Sequence, residues 1–205
     1  MSYNKFTIVQ LKAQFGLQVT EQSGLFTAAP PVAPSDLLRE TLRKQRLLAL
    51  RGNSEKARSE YIIAPIMAEV YESMKARANL FSGTEFNVDR KQGLTGFCDF
   101  LFCLMPFTIE IEAPIVSIVE AKKEDIQKGI PQCLAELVAA QIVNERAGLP
   151  IGTLYGGITT GDDWKFLRLQ GKVATVDGDI YYLDNLEKIV GILVSMLAPQ
   201  EDKNV

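Results

Sequence analysis

The 205-residue chain contains no histidine. That absence excludes Ser-His-Asp and Cys-His nucleophilic machinery, His-ligated zinc, and HExxH or HNH-type sites. Any acid–base or metal chemistry has to run on carboxylates, lysine, tyrosine or bound water. Cysteine is scarce too: Cys98 and Cys103 lie in an apolar run and Cys133 in a predicted helix. They form no CxxC pair and no metal-ligand spacing, so buried reduced thiols are expected. No GxGxxG or GxxxxGK[ST] loop supports a nucleotide cofactor. Long apolar runs are missing as well. Ile189–Ala198 is too short to span a bilayer, and the opening MSYNKFTIVQLKAQFG holds no signal-peptide core. A cytoplasmic protein with no membrane partner is expected.

What is present is ordinary in bulk and uneven in detail. The formal charge is only −3, which argues against a broad nucleic-acid-coating surface. Segment 39–58, however, holds Arg39, Arg43, Lys44, Arg46, Arg51, Lys56 and Arg58 against Glu40 and Glu55, a net of +5 that leaves −8 for the rest. Such a segment is either a solvated helical face or an arm that contacts phosphates.

The Ala- and Pro-rich stretch 26–35 reads as a linker. Ser35 can cap a helix to about Leu50, ended by Gly52-Asn53, and a second helix runs from about Ser54 to Arg77 with a kink expected at Pro65. Strands are predicted at 83–88, 95–104, 115–122 and 152–158, with a helix over 131–147 whose first turn takes Pro131. Strands near 164–169 and 173–182 and a helix over 184–198 follow. This order implies an α/β or α+β fold with a mixed sheet. The expected division is an N-terminal segment with a basic helix, residues 1–53, and a core domain, residues 54–205.

Carboxylates stand where apolar residues are expected. Asp99 is the only charge in the run GFCDFLFCLMPF, residues 96–107. A lone buried carboxylate costs several kcal/mol unless paired, protonated or bound to a cation. It is therefore either a satisfied buried aspartate or a metal ligand. On the next strand, period-2 alternation puts Glu120 and Lys122 on one face with Val116 and Ile118. They are an ion pair at a strand end or part of a site. The acid-x-Lys pattern also occurs at Asp89–Lys91, Asp163–Lys165 and Glu201–Lys203, so context alone selects the copy at 120–122. Glu60 falls in line with Ile63, Met67, Val70 and Met74 at helical spacing, as a third carboxylate or as a helix-end acid.

Asp99, Glu120-Ala121-Lys122, the upstream helical Glu60 and the helix that follows together resemble the PD-(D/E)xK nuclease superfamily. The resemblance covers roughly residues 54–170. It is closest to the nuclease domains of type I restriction motor subunits, where a late strand is similar to GITTGDDWKFLRL, residues 157–169 here. Cys98 stands where the family usually has proline. Gln132 resembles the glutamine found on the helix after the motif in several branches; it is equally a polar residue in a first helical turn. The resemblance implies a restriction endonuclease-like mixed sheet flanked by helices, with an N-terminal helical extension. It implies Mg²⁺, replaceable by Mn²⁺, held by Asp99 and Glu120 with the Ala121 carbonyl. Lys122 would orient or deprotonate the attacking water or stabilise developing charge, and Glu60 would tune the cation. DNA is the implied substrate and a homodimer an implied assembly. A nuclease fold turned into a DNA- or protein-binding module is the alternative.

Overall fold

The computed structural model describes residues 2–198. In chain order the first half holds α1 (Ile8–Phe15), β1 (Gln18–Gln22), α2 (Asp36–Gly52), α3 (Glu55–Arg58), a π-helical segment (Ser59–Ile63), α4 (Ala64–Met74), β2 (Asn79–Glu85) and β3 (Phe97–Cys103). The second half adds β4 (Ile115–Ala121), α5 (Ile126–Arg146), β5 (Leu154–Thr159), β6 (Asp163–Gln170), β7 (Val173–Asp177), β8 (Tyr181–Tyr182) and α6 (Leu186–Leu197).

The strands that read as apolar on both faces lie inside one mixed sheet of order β1-β7-β6-β5-β4-β3-β2, with β8 paired to β6. The β2–β3 and β3–β4 pairs are antiparallel, whereas β5 is parallel to β4 and is reached through α5. α5 covers one face over Leu101, Ile118, Ile158 and Leu167. α4 and α6 cover the other over Phe100, Val119, Trp164 and Phe166. Asn144 locks α5 to β4: its Oδ1 accepts from Ile115 N and its Nδ2 donates to Ile115 O, both at 2.7 Å. That clamp sets which α5 side chains overlie the C-terminal end of β4.

Several boundaries differ from expectation for identifiable reasons. α5 starts at Ile126 and not at Pro131, because the Asp125 carboxylate accepts from Gln127 N and caps the helix one turn earlier. Pro131 then costs only the bond to the exposed carbonyl of Gln127, and Gln132 sits in the second turn. The predicted strand over 173–182 is two strands, broken where Gly178 makes the turn. The expected kink at Pro65 is a widened helical turn over Ser59–Ile63 just before it. Proline lacks the N–H that would bond Tyr61 and its ring crowds that carbonyl; opening the turn relieves both.

The segment before residue 54, expected as an extension, contributes a strand to the sheet. β1 pairs in parallel with β7 as an edge strand, and Tyr3 is buried with its hydroxyl donating to Phe86 O at 2.7 Å. The capping box formed by Thr7 and Gln10 starts α1. β1 has no apolar alternation, since only Val19 is partly buried, so its strand state comes from pairing with β7.

Candidate active site

The β3–β4 register pairs Phe100 with Val119 and Leu101 with Ile118. Continued by one residue, it sets Asp99 opposite Glu120 at the sheet end. Asp99 Oδ2 accepts from Ala121 N at 2.8 Å, which binds the two strand ends together. Ile118 and Glu120 face α5 as expected, but Val116 packs in the opposite layer. The register skips between Phe102–Ser117 and Cys103–Ile115, and that bulge flips the phase.

Glu120 is 0% exposed, as is Glu136 on α5, a residue absent from the expected set. Glu120 Oε2 accepts from Lys122 Nζ at 3.1 Å and from Gln132 Nε2 at 2.6 Å. Gln132 Nε2 also donates to Glu136 Oε1 at 3.1 Å. Glu120 Oε1 and Glu136 Oε2 are buried with no donor. The structure thus brings Asp99, Glu120, Lys122 and Gln132 together and adds Glu136. The sequence signal for Glu136 existed: it is the single charge in CLAELVAA, four residues after Gln132, and so on the same helix face.

Glu60 is placed elsewhere. The π-helical turn rotates it away from the buried stripe of Ile63, Met67 and Val70. Its side chain is 49% exposed and pairs with Lys56 at 2.6 Å. Among the described residues nothing bonds it to Glu120, Lys122 or Gln132; instead it shares with Asp99 a cavity of about 320 Å³ also lined by Glu55, Ser59, Ser82 and Gly83. The acid-x-Lys copy at 201–203 lies outside the described residues.

Burial, with the Asp99 charge adding to it, pushes the Glu120 carboxyl up to about 7. Burial and then the Glu120 charge hold Glu136 well above the usual carboxylate range. Burial pulls the Lys122 ammonium down, but the Glu120 charge outweighs it and the net direction is up. Lys122 is therefore held as a charged donor to Glu120.

The raised carboxyls have a stability signature. The folded state binds more protons than the unfolded one between the ordinary value of 4.5 and about 7, so stability falls as pH rises through that window. Above it the cost is fully present. In chelator, the wild-type protein is expected to lose more melting temperature between pH 5 and pH 8 than a Glu120→Gln/Glu136→Gln double variant. Identical pH profiles for the two would contradict the assigned shifts.

The basic segment is largely consumed by internal pairs. Arg39 binds Glu187, Arg43 and Lys44 bind Glu40, and Arg46 spans Asp162 and Asp184. Arg58 donates to Thr160 O at 2.9 Å and reaches Asp162 at 3.5 Å. These contacts dock α2 and α3 onto the β5–β6 loop beside the site. Among the described basic residues of this segment, Arg51 alone has no ion pair, so the segment offers little free charge to phosphates.

Chemically, the cluster is a buried excess of acid. One ammonium faces two buried carboxyls and the adjacent Asp99, and two carboxyl oxygens lack donors. Among the described residues no three His, Cys, Asp or Glu side chains are grouped to hold a metal unaided. Two carboxylates and a main-chain carbonyl suit a hard cation that keeps several of its waters, as Mg²⁺ does. All three cysteines are free and buried, and no described helix is long and apolar enough to cross a membrane. No protein-family model matches the chain, and no curated protein matches it.

Proposed function

We propose that the chain is a divalent-cation-dependent nuclease that hydrolyses DNA phosphodiester bonds at Asp99, Glu120 and Lys122. The observation that carries this reading is Glu120: a carboxyl 0% exposed, with one oxygen lacking any donor, on the strand next to Asp99, which itself lines a cavity. An ion pair that served stability alone gains nothing from an orphaned buried oxygen, which is costly. The strand arrangement adds support, since acid, acid-x-Lys pair and following helix sit on β3, β4 and α5 as the PD-(D/E)xK resemblance implies.

Asp99 and Glu120 would hold the cation with the Ala121 carbonyl. When bound, Mg²⁺ supplies Lewis-acid polarisation of a phosphate and a lowered pKa for a coordinated water. Lys122, already charged, donates to the attacking water or to the developing negative charge rather than removing a proton. Glu55 lines the same cavity as Asp99 and adds negative potential there, while the Glu60 charge is paired with Lys56.

Incubation with circular and linear DNA tests the reading. Cleavage is expected with Mg²⁺ or Mn²⁺ and none in chelator, and loss of cleavage in Asp99→Ala. No cleavage by wild type, or undiminished cleavage by Asp99→Ala, defeats it. The paired state of the basic segment favours one second reading, a nuclease fold serving as a protein-binding module. Absence of saturable Mn²⁺ uptake would select that reading.

A further inference from the structure

The cluster contains one residue with no role in the chemistry above. Glu136 is 0% exposed on α5 and reaches the site through the Gln132 amide. It takes one hydrogen of the Gln132 amide at 3.1 Å, and the same nitrogen donates to Glu120 Oε2 at 2.6 Å. An unrestrained glutamine amide can rotate by half a turn and present its oxygen to Glu120, where it would repel. With Glu120 Oε2 and Glu136 Oε1 accepting on both sides of Nε2, the donor orientation satisfies both contacts.

Two further contacts make α5 a rigid mount for this relay. Asn144 clamps the helix to Ile115 at 2.7 Å in both directions. Gly129 lets it lie so close that a Cβ there would stand 2.5 Å from Ile158 Cγ2 and 3.2 Å from Lys122 Cγ. The relay is therefore set at fixed height over the end of β4. Burying a second carboxyl costs stability, and a leucine of similar volume would be buried at this position without that cost. A residue kept only for the fold would not be an acid.

We propose that Glu136 is a positioning residue of the cation site: it holds the Gln132 amide as a donor to Glu120 Oε2, and so fixes the carboxylate that faces Asp99. This rests on the cation reading above. Removing such an outer partner of a ligating carboxylate weakens metal affinity about 10- to 100-fold.

The test is Mn²⁺ titration by calorimetry on the full chain, paired with melting curves in chelator. Glu136→Leu is expected to bind Mn²⁺ at least about tenfold more weakly while melting no lower than wild type. Glu136→Gln, which can still accept from Gln132, is expected to recover most of the affinity. Gln132→Met breaks the relay at its half-buried middle and is expected to match Glu136→Leu, with no further loss in the double variant; it also carries the test should Glu136→Leu not fold. Wild-type affinity in Glu136→Leu or in Gln132→Met overturns the positioning role and leaves the cation reading standing. No saturable Mn²⁺ uptake by wild type overturns both.

Discussion

Glu120→Gln is expected to lower the rate of DNA cleavage by about 10³-fold or more and at the same time to raise the melting temperature. The two effects have one cause. Glu120 is 0% exposed with one oxygen undonated, and burial has already pushed its carboxyl up to about 7. An amide of the same shape removes the cost of burying that charge but cannot bind a cation with it. A gain of 1–2 kcal/mol in stability corresponds to roughly 2–8 °C for a chain of this size. Lys122→Met should lose cleavage too, but with the opposite sign in stability. It strips the ammonium from Glu120 Oε2, 3.1 Å away, and breaking one side of a buried pair costs about 3–5 kcal/mol. The double variant should regain most of that loss. Initial rates with Mn²⁺ and melts in chelator read both quantities. A Glu120→Gln protein that melts lower than wild type would mark the pair as a structural brace.

The second large effect is expected from Gly129→Ala. Alanine is the better helix former by about 1 kcal/mol, so an exposed helical glycine would gain from the change. Here the new Cβ would stand 2.5 Å from Ile158 Cγ2 and 3.2 Å from Lys122 Cγ. Ile158 is buried on β5 between β4 and β6 and, being β-branched, has one favoured rotamer and nowhere to turn. The clash wins: overpacking of about 1–3 kcal/mol is expected, partly offset by the helix gain. Relief can come only from lifting α5 or shifting the Lys122 stem, and either displaces the Gln132–Glu120 contact. Displacements of this order cost up to about 10²-fold in rate. Chemical denaturation and initial rates check the two parts. A neutral or stabilised Gly129→Ala would mean that α5 is seated more loosely than its clamps require.

Most of the site was legible in the sequence by one rule, that a charge inside an apolar run needs a reason. The rule selected Asp99 and, with strand alternation, placed Glu120 and Lys122 on one face. Applied to CLAELVAA it would also have selected Glu136, whose helical context made an acid look ordinary. Of the two readings of Glu60, the structure shows the helix-end acid: the stripe reading carried the helix phase through Pro65, whereas the widened turn over Ser59–Ile63 rotates it to the cavity wall. Val116 was misassigned for a kindred reason: a bulge is a one-residue defect that periodicity cannot register.

The sheet interior was legible because buried strands are apolar on both faces. Its edge was not, since β1 is mostly exposed and owes its extended state to β7. Charge counting saw the basic segment but not its partners. Asp162, Asp184 and Glu187 lie more than a hundred residues away in the chain and meet Arg46, Arg58 and Arg39 only through the fold.

The most direct measurement is an anomalous difference map from a crystal of the wild-type protein soaked in Mn²⁺. A single strong peak within coordination distance of Asp99 and Glu120 carboxylate oxygens, absent in Glu120→Gln, is the expected result. An empty site at saturating Mn²⁺, or a peak bound by other residues, would contradict cation-dependent chemistry at this cluster.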